Sequence, residues 1–301
     1  MIYTGNSLEI LPTLKAQSIH CCVTSPPYFG LRSYSGGAAE IGAEKRMDCL
    51  GWATGAKCGE CFICTLTSVF GGAEGNDGVW RVLKDDGTLW VNLGDSYAAK
   101  NLCMVPHRFA LAMQSAGWYV RSDIVWAKLN PMPESVTDRP TKAHEYIFLL
   151  TKSDKYFYDH VAVMEAAVRP GDVQVFGGQK ALKNTIDKSD PRFRNGSEQW
   201  GRSIVGGDVR NKRTVWEVAT APCKEAHFAT YPPALITPCI RAGCPVGGIV
   251  LDPFTGSGTT GMVAAQEGRE FVGIELNPEY AALAVRRING VTPAMHEMFI
   301  D

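Results

Sequence analysis

The stretch at residues 252–261 reads D-P-F-T-G-S-G-T-T-G and constrains the fold more than any other part of the chain. An apolar run at 248–251 precedes this glycine loop, and residues with helical spacing follow it, so the loop joins a strand to a helix. Gly256, Gly258 and Gly261 match the G-x-G-x-x-G spacing, which lets a backbone approach a ligand closely. We therefore predict an α/β fold with a doubly wound, mostly parallel, Rossmann-like sheet.

Other segments of the 301 residues alternate between strand and helix patterns, as such a sheet requires. We predict strands at 18–24, 88–93, 124–126, 146–150, 248–252 and 271–275, and helices after Gly5-Asn6-Ser7 and over 106–116, 260–267 and 278–288. A turn is predicted at 85–87, and residues 71–78 are too rich in glycine for a stable helix. No apolar run is long enough to span a membrane, so we expect a cytoplasmic protein.

Two acidic residues flank the glycine loop and indicate what it binds. Glu275 ends the next predicted strand, where a carboxylate can bind the two hydroxyls of a ribose. Asp252 precedes the loop, where it would attract the ammonium group of S-adenosylmethionine and repel the pyrophosphate of a dinucleotide. The pattern predicts an adenosine-containing cofactor. It favours S-adenosylmethionine, and a NAD-dependent oxidoreductase is the alternative.

A second motif, S-P-P-Y at residues 25–28, ends another predicted strand. Neither Pro26 nor Pro27 has an N–H group to donate, so a sheet ladder cannot continue past this S-P-P-Y corner. A turn alone does not need Ser25 and Tyr28 beside the prolines. The corner is therefore a candidate substrate site at the edge of the sheet.

With both motifs in view, the chain resembles the amino-group DNA methyltransferases of the permuted beta class. The catalytic motif of that family matches residues 24–28, and its cofactor motif matches residues 252–260. Further family segments match residues 87–97, 138–145, 227–232 and 273–277. The resemblance implies a site-specific enzyme that moves a methyl group from S-adenosylmethionine to the exocyclic amine of a base in double-stranded DNA.

The resemblance also implies roles for single residues. The lone pair of an exocyclic amine is delocalised into the ring, and two acceptors that bind the amine hydrogens would localise it. The Ser25 hydroxyl and the Pro26 carbonyl can be these acceptors, held by Pro27, and Tyr28 can stack on a base flipped out of the duplex. The cofactor positions that carry over are Asp252, Phe254, Gly256, Gly258, Thr259, Glu275 and Thr230.

The choice of base rests on the residue before the diproline. Family members that modify cytosine N4 mostly carry serine there, and those that modify adenine N6 mostly carry aspartate or asparagine. Ser25 therefore favours N4-methylcytosine, with N6-methyladenine as the alternative. A carbon-5 cytosine methylase would use a cysteine after a proline, as at Cys223 or Cys239, but would leave the S-P-P-Y corner unexplained. RNA and protein glutamine are further candidate substrates, whereas a non-catalytic DNA-binding module would need neither motif.

Residues 161–213 separate the two motif-bearing halves and differ from them in charge. Between Arg169 and Arg213, ten Lys and Arg stand against five Asp and Glu, although the whole chain has a net charge of −1. A positive excess attracts a phosphate backbone. In the family, this segment recognises the target sequence. We predict a catalytic half at 1–160, a target-recognition region at 161–213 and a cofactor-binding half at 214–301. The expected DNA contacts are Arg192, Arg194, Arg202, Arg210, Lys212 and Arg213.

Four of the ten cysteines form a C-x8-C-x2-C-x2-C pattern within a predicted insertion at 45–66. In an intracellular protein such a cluster indicates a metal rather than disulfides. The thiolates of Cys49, Cys58, Cys61 and Cys64 can close a tetrahedral zinc site. Thiols without a metal and an iron–sulfur cluster are the alternatives. We expect the site to brace a loop, because it is distant in sequence from both motifs.

The resemblance also implies partners other than DNA. Family members take part in restriction-modification, so a cognate restriction endonuclease is expected. Many are homodimers. The expected location is the cytoplasm of a bacterium or of a phage-infected cell, in association with DNA.

Overall fold

The computed structural model describes residues 1–29, 41, 44, 46–49, 58, 60–75, 77–166, 173–174, 204–205, 209–221 and 230–291. The chain divides into two compact units. One is formed by Met1–Ala162 with Arg213–Asp301, and the other by Val163–Lys212. The first unit contains the main sheet and both sequence motifs.

The strands and helices lie where the sequence patterns predict them, with several additions. The strands in the described ranges are β1 (Ile2–Thr4), β2 (Ile19–Thr24), β3 (Leu83–Leu93), β4 (Tyr97–Ala98), β5 (Asn101–Leu102), β6 (Tyr119–Lys128), β7 (His144–Thr151), β8 (Glu165–Ala166), β9 (Val173–Gln174), β10 (Ile204–Val205), β11 (Val209–Arg210), β12 (Val215–Val218), β13 (Ile249–Asp252) and β14 (Glu270–Glu275). The helices there are α1 (Ser7–Ile10), α2 (Phe62–Phe70), α3 (Gly78–Val82), α4 (Val105–Ser115), α5 (Pro233–Gly243), α6 (Thr259–Gln266) and α7 (Pro278–Asn289). Among these helices, none has the length and apolar character needed to cross a membrane.

The first unit is built on an eight-stranded sheet in the order β1-β14-β13-β2-β3-β7-β6-β12. Within this sheet β7 runs antiparallel to its neighbours β3 and β6, and the other five pairs are parallel. Strand β13 lies beside β2, with Val250 opposite Cys21, although the two strands are far apart in the sequence. The predicted mostly parallel sheet is confirmed, and the two motifs follow neighbouring strands of it.

Successive residues of β2 show that helices cover both faces of the sheet. Cys22 lies in an apolar core with Phe62 of α2 and Phe109 of α4. Cys21 faces the other way, where a Cβ atom added at Gly243 of α5 would lie 3.1 Å from its Sγ. Both cysteines are fully buried. A doubly wound sheet requires this alternation, since each face must bury apolar side chains.

Helix α2 begins inside the segment predicted as an insertion. Seven of its nine residues are buried, so it belongs to the core that covers the sheet. It ends at Phe70, and its C-cap Gly71 has φ 67, a value that favours glycine. The next helix begins at Gly78, so the described residues between the two are not helical, as their glycine content predicts. Helix α2 therefore covers this face of the sheet, and it lies before the glycine-rich stretch at 71–78.

The predicted turn at 85–87 is wrong, because these residues lie within the long strand β3. The pairing of β2 with β3 shifts between Ile19 and Cys21, which makes the segment a bulge within the strand. Gly87 lies in the bulge, where an added Cβ atom would lie 2.9 Å from the His20 carbonyl oxygen. The glycine permits a close approach of two strands and does not reverse the chain.

The described residues of the second unit form two short antiparallel pairs, β8 with β11 and β9 with β10. Arg210 Nε donates to Glu165 Oε1 at 3.0 Å, and Lys212 Nζ lies 3.9 Å from Glu165 Oε2. These two predicted DNA contacts therefore share one carboxylate, which holds their side chains close together.

Candidate active site

The S-P-P-Y corner and the glycine loop begin at the carboxyl ends of adjacent parallel strands. Thr24 is the last residue of β2, and Asp252 is the last residue of β13. The Thr24 hydroxyl donates a hydrogen bond of 2.5 Å to Asp252 Oδ1. Two motifs that are 228 residues apart in the chain are thus joined directly by their first side chains.

Asp252 is enclosed by protein groups. Its carboxylate accepts from Thr24, from the Phe254 N–H at 3.0 Å, from Thr260 Oγ1 at 2.5 Å and from the Tyr231 hydroxyl at 3.3 Å. The residue is 1% exposed, and this burial raises the pKa of its carboxyl group. The direct contact with a cofactor ammonium group stays a prediction for Asp252. In the structure its carboxylate holds the two motifs together.

The glycine loop uses its glycines in two different ways. Gly256 and Gly258 have φ of 52 and 84, which only glycine adopts readily. A Cβ atom at Gly258 would lie 2.7 Å from the Cβ of Ala284, so this position allows α7 to pack closely on the loop. Among the described residues, a Cβ atom at Gly256 would meet only the Phe254 carbonyl oxygen, at 4.0 Å. The open space beside the loop therefore lies at Gly256.

Glu275, at the end of β14, faces the same part of the loop. Its Oε2 accepts from the Gly256 N–H at 2.8 Å, and its Oε1 accepts from the Asn277 N–H at 2.9 Å. Burial raises the pKa of the Glu275 carboxyl group. The two backbone donors fix the carboxylate in one orientation beside the open side of Gly256.

Arg287 of α7 forms hydrogen bonds with the glycine loop at Ser257. Its Nη1 donates to the Ser257 carbonyl oxygen at 2.5 Å and to Ser257 Oγ at 2.6 Å. Thr259, the first residue of α6, is 5% exposed, so its side chain is part of this framework. Arg287 and Thr259 thus support the glycine loop on the side of α6 and α7.

The tyrosine of the S-P-P-Y corner is held by residues from two other strands. Its hydroxyl donates to Glu145 Oε2 on β7 at 2.6 Å. The other oxygen of Glu145 lies 2.5 Å from Lys128 Nζ on β6. A Cβ atom at Gly94 would lie 2.6 Å from the Tyr28 ring, so the absence of a side chain there makes room for the ring. The structure thus makes Glu145 the partner of Tyr28.

Ser25 lies beside an oriented amide. Its hydroxyl donates to Asn92 Oδ1 at 3.4 Å, and Asn92 Nδ2 donates to the Tyr146 carbonyl oxygen at 3.2 Å. The second bond determines which end of the amide faces Ser25. Because the Ser25 hydrogen is directed to Asn92, the lone pairs of its oxygen stay available to accept hydrogens from a ligand.

Several of the other predicted residues lie outside the described part of the chain. Thr230 is half-buried, and its neighbour Tyr231 is the residue that reaches Asp252. Arg192, Arg194 and Arg202 lie outside the described residues, and so do His227 and Cys223. Arg213 is exposed just before β12. Cys239 lies inside α5 with 0% exposure, so it cannot attack a base as a carbon-5 methylase requires.

The four predicted metal ligands do come together. The Sγ atoms of Cys49, Cys58, Cys61 and Cys64 all lie within 4.8 Å of one another. They lie around the start of α2, at some distance along the chain from both motifs.

We expect Tyr28→Phe and Glu145→Ala each to lower kcat by about tenfold, since each removes a hydrogen bond to a charged group. Because the two residues act through one contact, the double variant should be no slower than the slower single variant. Steady-state methylation of duplex DNA measures all three. Glu270→Ala, at an exposed position on β14, is the control and should match the wild type. Additive losses would show that Glu145 does not act through Tyr28.

Comparison with known proteins agrees with this geometry. The N6_N4_Mtase family model, described as DNA methylase, matches residues 19–286. The chain is 41% identical to Type II methyltransferase M.Cfr9I of Citrobacter freundii over 96% of this chain and 87% of that protein. It is 40% identical to Type II methyltransferase M.SmaI of Serratia marcescens, over 95% of this chain and 90% of that protein.

Solved structures show the same fold. PvuII DNA methyltransferase, described as cytosine-N4-specific, has a TM-score of 0.64 at 20% identity, covering 97% of this chain and 87% of that chain. A protein described as a DNA modification methylase of Thermus thermophilus, in complex with S-adenosyl-L-methionine, has a TM-score of 0.55 at 22% identity and covers 96% and 94%. The chain therefore belongs to the DNA methylase family N6_N4_Mtase and is an S-adenosylmethionine-dependent DNA amino-methyltransferase.

Proposed function

We propose that this enzyme methylates N4 of a cytosine that is flipped out of double-stranded DNA into a space between the S-P-P-Y corner and the glycine loop. The observation that carries this proposal is the Thr24–Asp252 hydrogen bond, because it brings the two motifs to adjacent strand ends. A methyl donor on one motif and a base on the other would then be close enough for direct transfer.

The cofactor site is proposed to lie along the open side of Gly256. Glu275 is proposed to accept hydrogens from two ribose hydroxyls, and Phe254, which is partly buried, to border the same space. Thr259 and Gly258 support the loop. S-adenosylmethionine, when bound, supplies an electrophilic methyl group on a positively charged sulfur. Asp252 contributes by holding the loop against β2, and its negative charge favours a cation nearby.

The S-P-P-Y corner is proposed to activate the amine. Ser25 Oγ and the Pro26 carbonyl oxygen accept the two amine hydrogens, which localises the nitrogen lone pair for attack on the methyl carbon. Pro27 keeps the corner rigid. Asn92 supports Ser25 by taking its hydroxyl hydrogen. The activated amine would take the methyl group directly and would lose its extra proton to water, so no covalent enzyme–base intermediate is needed.

Cytosine is favoured over adenine because Ser25 stands before the diproline. The PvuII enzyme, which is described as cytosine-N4-specific, has the same fold as this chain. The test is single-molecule sequencing of DNA from a host that expresses this chain, with a Ser25→Ala host as the blank. Modified cytosine at one short sequence is expected. Modified adenine at that sequence would support the N6 alternative and overturn the choice of base.

The unit Val163–Lys212 is proposed to recognise the target sequence, on the basis of its excess of basic residues. Replacing Arg192, Arg194 and Arg202 with alanine should weaken DNA binding and reduce the slope of log K against log salt by about 2.7, roughly 0.9 for each phosphate contact.

Fluorescence anisotropy at several salt concentrations measures this slope. The matched control replaces three exposed basic residues outside that unit, Lys15, Lys155 and Arg286, and should keep the wild-type slope. Equal slopes for the two triple variants would remove the three arginines from the DNA contact.

We also propose that the enzyme belongs to a Type II restriction-modification pair, since M.Cfr9I and M.SmaI carry that description. DNA modified by this chain should then resist one restriction endonuclease that cuts the same sequence. The homodimer and the cytoplasmic, DNA-associated location stay predictions. Sedimentation velocity of the purified chain tests the first, and cell fractionation tests the second.

A further inference from the structure

We propose that Cys49, Cys58, Cys61 and Cys64 hold one structural zinc ion and that this zinc site positions the S-P-P-Y corner through Phe62 and Phe29. The second part rests on the proposed function of the corner, whereas the first part does not.

The positions of the sulfur atoms carry the first part. A zinc–sulfur distance of about 2.3 Å in a tetrahedral site places the sulfurs about 3.8 Å from one another. In the structure all four Sγ atoms lie within 4.8 Å of one another, and those of Cys49 and Cys64 are 3.4 Å apart. Thiols are weak hydrogen-bonding groups, so contacts among them do not explain why four side chains spread over sixteen residues converge on one point. A shared cation does explain it.

The cluster is built around the start of α2. Cys61 is the N-cap of this helix, and Cys64 lies in its first turn. The Glu60 N–H also points to Cys58 Sγ at 3.4 Å. Four thiolates carry enough negative charge to bind a divalent cation, and a set of four sulfur ligands in tetrahedral reach favours zinc.

The segment that carries Cys49 is attached to the start of the same helix. The N–H groups of Phe62 and Ile63 donate to the carbonyl oxygens of Arg46 and Met47, at 2.9 and 3.0 Å. A zinc ion would add a direct link from Cys49 to this backbone pairing. The first turn of α2 would then be held from both sides.

Phe62 connects the zinc site to the S-P-P-Y corner. It lies between the ligands Cys61 and Cys64, is fully buried, and packs its ring 5.6 Å from the ring of Phe29. Phe29 follows Tyr28 in the chain. A shift in the first turn of α2 would therefore reach the corner through one aromatic contact, which gives a structural metal an effect on turnover.

Metal content tests the first part without substrate. Protein purified without chelator should contain about one zinc per chain, with a first shell of four sulfurs at about 2.3 Å by X-ray absorption. Cys58→Ser should lose the metal, and because Cys58 is exposed this change leaves no buried hydroxyl group unsatisfied. Cys103→Ser, at a buried cysteine outside the cluster, should keep it. Cobalt added to stripped wild-type protein should give the absorption of a tetrahedral thiolate site.

Absence of metal, a disulfide within the cluster, or iron with acid-labile sulfide would each overturn the zinc assignment.

Turnover tests the second part. Cys58→Ser and Phe62→Leu should each lower kcat by about tenfold to a hundredfold while the Kd for S-adenosylmethionine stays near the wild-type value. Normal kcat in a metal-free, folded Cys58→Ser protein would overturn the positioning role. If the wild type is inactive on DNA, the proposed function fails, and the metal result still stands by itself.

Discussion

Ser25→Ala is expected to lower turnover by about a hundredfold or more while leaving the affinity for S-adenosylmethionine within about twofold of the wild type. The reason is that Ser25 Oγ is proposed to bind the amine only where the reaction occurs, and its hydrogen-bond partner Asn92 lies on β3, outside the glycine loop. Its hydroxyl hydrogen is directed to Asn92 Oδ1, which leaves the oxygen as an acceptor. Alanine removes this acceptor and preserves the diproline.

Single-turnover methylation of duplex DNA measures the rate, and titration calorimetry measures the cofactor affinity. Ser115→Ala is the matched control, because Ser115 is exposed at the end of α4. It should be indistinguishable from the wild type in both assays. A Ser25→Ala enzyme with normal turnover would remove Ser25 from the catalytic group. One that loses cofactor affinity and turnover together would move Ser25 to the cofactor site.

Glu275→Ala is expected to weaken S-adenosylmethionine binding by about tenfold to a hundredfold, since a hydrogen bond to a charged group contributes about 1.5–3 kcal/mol. The carboxylate is held by the N–H groups of Gly256 and Asn277 beside the open side of the glycine loop. Loss of the Glu275 carboxylate would also leave the Gly256 N–H group without this acceptor. Calorimetry should show this loss for Glu275→Ala and an unchanged Kd for Glu279→Ala, an exposed acid in the first turn of α7. Unchanged affinity in both variants would contradict a ribose-binding role for Glu275.

The pH dependence of cofactor binding gives a second readout of Glu275. Burial raises the pKa of its carboxyl group, so the group becomes protonated at a higher pH than an ordinary glutamate. Because the charged form is the better acceptor for ribose hydroxyls, affinity should fall as the pH drops through this raised pKa. Glu275→Gln does not titrate and should lack that step.

The sheet and both motifs could be predicted because their signals are local. The glycine loop and the S-P-P-Y corner are continuous stretches whose residue types have a direct physical meaning. The flanking apolar runs at 248–251 and 271–274 mark buried strands in the same way. The parallel order followed from the alternation of strands and helices.

What could not be predicted depends on contacts between distant parts of the chain. Tyr28 and Glu145 are 117 residues apart, and no pattern in the sequence shows that β7 brings the carboxylate to the tyrosine hydroxyl. The burial of Asp252 has the same origin, because its partner Thr24 comes from the other half of the chain. Helix α2 was hidden for a different reason. The cysteines at and before its start suggest metal ligands, and this obscures the apolar face that packs into the core.

The choice between cytosine and adenine depends on a single residue, Ser25, and experiment decides it. Both candidate bases present an exocyclic amine, and a neutral hydroxyl at Ser25 can accept a hydrogen from either one. Specificity for the ring must come from side chains around the flipped base. The choice of cytosine thus follows from family resemblance at one position.

Nucleoside analysis of modified DNA tests the account most directly. Purified enzyme transfers a labelled methyl group from S-adenosylmethionine to unmodified duplex DNA, the product is digested to nucleosides, and mass spectrometry identifies the labelled species. The account predicts N4-methylcytosine with no enzyme–DNA adduct under denaturing conditions. N6-methyladenine as the labelled product would contradict the choice of base, and 5-methylcytosine would contradict the proposed mechanism at the S-P-P-Y corner.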